Sequence, residues 1–389
     1  MSFPANDIIA LLEVPDDIRF NLGESTSLDL KVSDITTLSE SELTTKLSSL
    51  NLGYGSARGT KELCKLIAED ANRTETENLI TEDDVVVTIG AVSSLFLVSF
   101  LLCSPQRNDE CLIVSPNFPA AIDGLIALGV TVNFLSSKFE NKYQLDMDEF
   151  AVALNENTKL VSIPSPGNPS GVCVPLETIQ KMVEIMKEKA PAAYLLVDET
   201  YREALLHEDD SVGPSASVVS DKVISLSSLS KAVGAPGLRI GWMICRDKTV
   251  IQKIIVAKMN ILICCPTMEE FFSIELFKKK QELLDRQREH LSKNFELLKQ
   301  WMEEHSSWLE WVQPDRGALC CAALTKQKFP SEDSVTAFYD ACKQHKLMVG
   351  RGSWFREDDR RFRVGFGYLE YEEFKLALYA LSAALQASS

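Results

Sequence analysis

The 389-residue chain has little of what metal and disulfide sites are built from. Its four histidines (207, 290, 305 and 345) are scattered, which argues against a metal site. Ten cysteines occur without a CxxC spacing and mostly within apolar stretches, so they read as buried free thiols rather than disulfides or zinc ligands. The adjacent pairs Cys264-Cys265 and Cys320-Cys321 read as small residues packed in a core. No apolar run reaches the roughly eighteen residues that span a bilayer. The longest candidate, residues 91–103, is broken by Ser93, Ser94 and Ser99. Residues 1–13 lack the basic region and cleavage site of a signal peptide, so the expectation is a cytoplasmic protein with no membrane partner. Basic charge is also short: 40 Lys and Arg stand against 56 Asp and Glu, a net charge of −16, which disfavours a nucleic-acid partner.

What is present is an ordinary folded composition, 45% hydrophobic and 25% charged. The length accommodates two or three domains, or one large α/β unit with an appendage. From Val85 to Val197, short β-branched runs alternate with helical ones, the signature of βαβ units and a mostly parallel sheet. The pattern predicts strands at 85–89, 111–116, 130–135, 159–163, 193–199, 222–227 and 239–245. Helices are expected at 91–103, 119–128 and 176–189. After Lys248 the texture changes: residues 267–304 carry Glu, Lys, Gln, Leu and Phe at helical spacing, predicting one or two long helices that lead to a second, α+β region. That region is expected to hold strands near 308–312, 318–324 and 361–366, and helices at 332–345 and 370–385. No repeat and no low-complexity segment is present.

The most informative stretch is SLSSLSKAVGAPGLRIGW, residues 225–242, which sets Lys231 in a loop between a strand and a turn rich in Gly and Pro. Alone, a lysine in a polar loop is a solvated surface charge. Four further polar strings, TIGAV (88–92), SPNF (115–118), PGNPSG (166–171) and VDETY (197–201), follow strands of the same sheet. Ligands of open parallel sheets bind outside the carboxyl ends of the strands, so these strings are expected to converge on one crevice.

Taken in order, NPSG, DETY and SLSKAVGAPGLRIGW resemble the fold-type I pyridoxal-phosphate enzymes of the class I and II aminotransferase group, the aspartate aminotransferase superfamily, with the likeness running from about Asn21 to Tyr368. The resemblance implies an α/β fold with a mostly parallel seven-stranded sheet flanked by helices, plus a smaller α+β domain. The division it implies is an N-terminal segment at 1–45 packing with the small domain, a cofactor-binding domain at 46–275 and a small domain at 276–389. It implies pyridoxal 5'-phosphate as cofactor and Lys231 as the amine of its Schiff base and the mover of the substrate proton. Asp198 is then the carboxylate that keeps the ring nitrogen protonated, and a carboxylate directly after four apolar residues makes a poor cap or turn residue. Asn168 and Tyr201 become hydrogen-bonding partners of the ring oxygen, although Tyr201 also reads as half-buried packing.

For the phosphate, the resemblance points to the backbone of Ala91 and Val92 at a helix start, beside Gly90, and to Ser228 and Arg239, three residues before and eight after the lysine. The family often has a hydroxyl in that first turn; here only Ser93 is available to stand in. Phe118 matches the aromatic residue that stacks on the ring, and without the resemblance it reads as core. Tyr54 matches a tyrosine that reaches the phosphate of the other subunit, which implies a homodimer with shared active sites. Arg363 matches the fork for the substrate carboxylate, with Arg360 and Arg361 expected to face solvent. Gly23, in FNLGEST, matches the centre of a turn closing over the substrate, together with Asn168 and Arg363. Arg351 stands where relatives commonly have proline and reads either as solvated or as a pocket residue. Glu24, Ser25 and Trp354 are further pocket candidates without an assigned role.

The implied reaction is amino-group transfer between an α-amino acid and a 2-oxo acid. The same constellation also serves lyases and cyclases, including aminocyclopropane-carboxylate-synthase-like and capreomycidine-synthase-like chemistry. CCPTMEEF (264–271) and the Cys320-Cys321 pair depart from typical aminotransferase strings and leave the substrate class open. A scaffold protein that had lost its chemistry would be expected to lack Lys231 or Asp198, and both are present.

Overall fold

The computed structural model describes residues 12–73 and 79–388. Residues 1–11 of the expected N-terminal segment, and with them most of the region read for a signal peptide, lie outside the described residues. The first strand, β1 (Phe20–Leu22), is followed by seven that form one sheet: β2 (Val85–Ile89), β3 (Glu110–Ser115), β4 (Thr131–Ser136), β5 (Thr158–Pro164), β6 (Tyr194–Asp198), β7 (Val223–Ser228) and β8 (Ile240–Cys245). Their spatial order is β2-β8-β7-β6-β5-β3-β4. All neighbours pair in parallel except β8, which runs antiparallel to both β2 and β7. Strands β7 and β8 have only a short loop between them, so no crossover helix intervenes and the second strand returns antiparallel.

Helices cover both faces of this sheet. Helix Leu176–Lys189 buries Ile179, Met182, Val183 and Met186, the i, i+3, i+4, i+7 stripe of an amphipathic helix, against Leu195 and Val197 of β6. Helix Gly90–Leu102 is apolar nearly all round and packs on the opposite face with Leu196, Ile224 and Met243. Helix Lys248–Ile261 has no counterpart among the helices expected from the sequence. It starts at Asp247, whose Oδ1 accepts from the backbone N–H groups of Thr249 at 2.8 Å and Val250 at 3.2 Å.

The second sheet contains β9 (Leu309–Val312), β10 (Leu319–Leu324), β11 (Leu347–Arg351) and β12 (Arg361–Gly365), in the order β1-β11-β12-β10-β9. Strand β1 pairs in parallel with β11, Phe20 opposite Leu347 and Leu22 opposite Val349, so the two ends of the chain meet in one sheet. Helices Thr267–Lys278 and Lys280–Glu304 connect the two regions. One continuous apolar cluster includes Trp242 of β8, Phe277, Leu291 and Phe295 of the connecting helices, and Phe362 and Val364 of β12. The two sheets and the connecting helices are therefore packed on one shared core. No helix among the described residues is long and apolar enough to cross a membrane.

All ten cysteines are free. Cys320 and Cys321 lie fully buried in β10, and Cys321 Sγ takes the Tyr143 hydroxyl at 3.1 Å, so this pair belongs to the core of the second sheet and not to a pocket wall. Burial pushes the Cys265 thiol up to about 11.

Candidate active site

The ends of β2, β5, β6 and β7 meet along one edge of the large sheet. Pro164 at the end of β5 pairs with Asp198 at the end of β6, Asp198 pairs with Leu226 of β7, and Ser228 at the end of β7 pairs with Gly241 of β8. Backbone register alone thus gathers the polar strings that follow these strands.

Asp198 sits partly open to the crevice. Its Oδ1 accepts from Thr200 twice, from the backbone N–H at 3.0 Å and from the hydroxyl at 2.5 Å. Burial raises this carboxyl above its ordinary range, against the pull of the Thr200 hydrogen bonds and of the Lys231 charge. A cation facing it from the crevice would offset that burial. Tyr201, three residues on, is buried, and its hydroxyl lies 2.9 Å from Ser25 Oγ.

The loop after β7 carries Lys231, half-buried, with Nζ 3.1 Å from Glu24 Oε1. Glu24 belongs to the segment directly after β1. Burial would raise its carboxyl, but the neighbouring charges of Lys231 and Arg363 and the Ser25 N–H hold it down at about 2.

Arg363 of β12 is buried against the same crevice. Its Nη1 donates to Asn168 Oδ1 at 3.0 Å and its Nη2 to the Gly23 carbonyl, while Nε is buried with no partner. Because a guanidinium only donates, Asn168 must turn its carbonyl oxygen towards Arg363, which leaves its NH2 free to donate elsewhere. The three residues expected to bind substrate, Gly23, Asn168 and Arg363, are therefore joined directly. An orphaned guanidinium N–H beside them suits a carboxylate.

A second group of site residues meets at the start of helix Gly90–Leu102. Gly90 has φ +67°, and a side chain there would come within 2.4 Å of Arg239 Nη2. Gly241 must likewise be bare, since a Cβ would sit 2.5 Å from the Ala91 nitrogen. The Arg239 guanidinium thus rests over the helix start, where the first backbone N–H groups have no partner inside the helix. Ala91 and Val92 lie in this first turn. Ser93 does not supply a hydroxyl, since its Oγ donates back to the Ile89 carbonyl at 2.7 Å. Ser228 is buried close by in sequence to Lys231, its Oγ accepting from the Ser230 N–H at 3.3 Å. A cation over free amides fits a phosphate dianion, and Asp198 fits a protonated ring nitrogen, so the residues present suit pyridoxal phosphate.

Phe118 is half-buried after β3, its backbone N–H held by Asn117 Oδ1 at 2.7 Å. Tyr54 is not brought to the crevice by contacts within its own chain: it is 86% exposed, beside Leu52 at 76%. Arg351 does not behave as a pocket residue; its guanidinium stacks 4.2 Å from the Tyr339 ring centroid and pairs with Asp359 at 3.8 Å. Arg361 departs from the expected solvent-facing position, because Glu357 and Glu140 clamp it and leave its side chain 20% exposed. Glu24 and Ser25, unassigned from the sequence, contact Lys231 and Tyr201. Their signal was proximity to Gly23 in a polar string, which gives no direction for a side chain.

The sequence profile of the family described as "Aminotransferase class I and II" matches residues 16–381. An aspartate aminotransferase of Sulfurisphaera tokodaii is 30% identical over 253 residues, covering 60% of this chain and 60% of that protein's length. Capreomycidine synthase of Streptomyces vinaceus is 25% identical over 343 residues, covering 84% of this chain and 83% of its own. Among solved structures, a PLP-dependent aminotransferase from Streptococcus suis superposes with a TM-score of 0.88 at 23% identity, covering 100% of this chain and 99% of that one, and so shares the fold.

Proposed function

The chain belongs to the class I and II aminotransferase family, whose cofactor is pyridoxal 5'-phosphate, and on that premise we propose that it moves an amino group from an α-amino acid to a 2-oxo acid, with Lys231 as the cofactor-binding amine. The observation that carries this reading is the Arg363 fork, joined to Asn168 and Gly23 with its Nε left unpartnered, beside Lys231 and Asp198. Bound pyridoxal phosphate supplies an aldehyde and an electron-withdrawing ring. The chain supplies the rest. Arg363 orients the substrate by its carboxylate, which points the Cα–H at a fixed direction. Lys231 Nζ would take the proton from substrate Cα and deliver it to the cofactor carbon that carries the substrate nitrogen. Asp198 would keep the ring nitrogen protonated, while the Asn168 NH2 and the Tyr201 hydroxyl would be the donors for the ring oxygen. Arg239, Ser228 and the amides of Ala91 and Val92 would hold the phosphate, and Phe118 would contribute an aromatic wall.

In this reading Tyr54 serves the crevice of a second copy, which makes the protein a homodimer, and its exposure within one chain supports that role. The domain division 1–45, 46–275 and 276–389 belongs to the same proposal. A lyase or cyclase is the second reading. It rests on the match to capreomycidine synthase, which spans more of this chain than the match to the aspartate aminotransferase.

The test is an absorption spectrum of the protein with pyridoxal phosphate, followed by amino acids added one at a time. Conversion of the visible band to the pyridoxamine form, with release of a 2-oxo acid, supports transfer. A persisting band with an eliminated or cyclised product supports the second reading.

A further inference from the structure

The segment after β1 sends three polar groups to three separate residues of the crevice: the Gly23 carbonyl to Arg363, Ser25 Oγ to Tyr201, and Glu24 Oε1 to Lys231. Only the last touches the reacting amine. Glu24 is aimed by its own segment, since Oε1 accepts from the backbone N–H groups of Ser25 at 2.7 Å and Thr26 at 3.0 Å. Asn21 Oδ1 in turn holds the N–H groups of Gly23 at 2.9 Å and Glu24 at 3.1 Å. The carboxylate is therefore fixed in place independently of the lysine.

The other charged and titratable groups facing this pair are Arg363 from β12, Asp198 from β6, and Asp29 and Tyr368 at the rim. Burial and the Glu24 charge push the Asp29 carboxyl up, and burial with the Asp29 and Glu24 charges pushes Tyr368 up. Glu24, by contrast, stays ionised across the working range. It is the carboxylate in direct contact with the amine.

We propose that Glu24 is a catalytic residue, its carboxylate being the counter-charge that stabilises the Lys231 ammonium formed when the freed lysine takes the substrate's Cα proton. The proposal rests on the reading of Lys231 as the cofactor-binding amine. When the substrate's amino group displaces the lysine, Lys231 leaves as a free amine and takes the Cα proton. The resulting ammonium pairs with Glu24 and would then hand the same proton to the cofactor carbon that carries the substrate nitrogen, so the lysine ends as the free amine it began as and no proton is gained or lost. An ammonium is not a nucleophile, so the pair also keeps the lysine from recapturing the cofactor until that proton has been handed on.

The test uses the full-length protein freed of cofactor, as wild type, Glu24→Gln and Glu24→Asp. The glutamine keeps an oxygen for the Ser25 and Thr26 N–H groups but removes the charge. Pyridoxal phosphate is added between about pH 6 and pH 9, trapped with borohydride, and located by peptide mass. Attachment at Lys231 is expected roughly tenfold faster in Glu24→Gln throughout this range, which lies below the ordinary titration of a lysine, while Glu24→Asp stays near wild type. In turnover, kcat of Glu24→Gln falls with KM little changed. Equal rates and superimposable pH profiles would mean that Glu24 only shapes its segment, and would overturn its role alone. No attachment at Lys231 in any of the three proteins would overturn the reading of Lys231 and the role of Glu24 with it.

Discussion

Arg363 Nη1 lies 3.0 Å from Asn168 Oδ1, a contact between residues 195 positions apart that ties the second sheet to the loop after β5. Two elements of different sheets thus share one hydrogen bond at the place where a substrate carboxylate would dock. The consequences can be measured.

Replacing Arg363 by lysine keeps the charge and loses the fork. For α-amino acids, kcat/KM is expected to fall roughly a hundredfold, the size of one lost charge-assisted pairing of about 3 kcal/mol. Amines that lack an α-carboxylate should lose nothing. Steady-state kinetics with a matched amino acid and amine separate the two, and an equal loss for both would remove Arg363 from substrate binding.

At Gly90 the prediction concerns the phosphate. Gly90→Ala forces a side chain into a backbone at φ +67° and against Arg239. A left-handed conformation costs an ordinary residue about 1–2 kcal/mol, and displacement of Arg239 adds to it, so the dissociation constant for pyridoxal phosphate should rise at least about tenfold. Fluorescence titration reads this, with inorganic phosphate as competitor. Unchanged affinity for both ligands would show that the helix start does not hold phosphate.

Much of this arrangement was legible in the sequence. The strands of the large sheet follow from β-branched runs, and the strings NPSG, DETY and SKAVGAPGLR follow them, so parallel register alone gathers Asn168, Asp198 and Lys231. Strand β1 was not legible, because it has three residues and finds its partner at Leu347–Val349, beyond the reach of any local pattern. Glu24 was left without a role for the same reason: its direction is set by that pairing and by hydrogen bonds within its own turn. Helix Lys248–Ile261 was missed although its signals are in the sequence: Asp247 offers a cap within the polar stretch 246–249, and Val250, Ile251 and Ile254 fall on one face. Tyr54 is exposed in one chain, and its proposed role lies in another.

Stability should depend on a buried ionic cluster beside the DETY segment. Asp70 meets Lys280 at 2.9 Å and Arg202 at 3.3 Å, and Lys280 also meets Glu203 at 2.8 Å. Burial raises the Asp70 carboxyl, but Lys280, Arg202 and Arg73 outweigh it and hold it well below the ordinary range. Its contribution is therefore complete above the unfolded carboxylate range, around pH 4, and is lost as the pH falls through the lower folded value. Asp70→Asn should cost about 3–5 kcal/mol in urea unfolding at neutral pH, with the gap from wild type closing below about pH 4. A gap that stays constant through acid would contradict this origin.

The central claim is that Lys231 is the amine that carries the cofactor. Borohydride reduction of the protein with pyridoxal phosphate, followed by peptide mass analysis, tests it most directly. The account predicts a phosphopyridoxyl group on the peptide containing Lys231, and loss of both that mass and the visible band in Lys231→Ala. A label on another lysine, such as the buried Lys258 or Lys280, or bound cofactor that reduction leaves unattached, would contradict it.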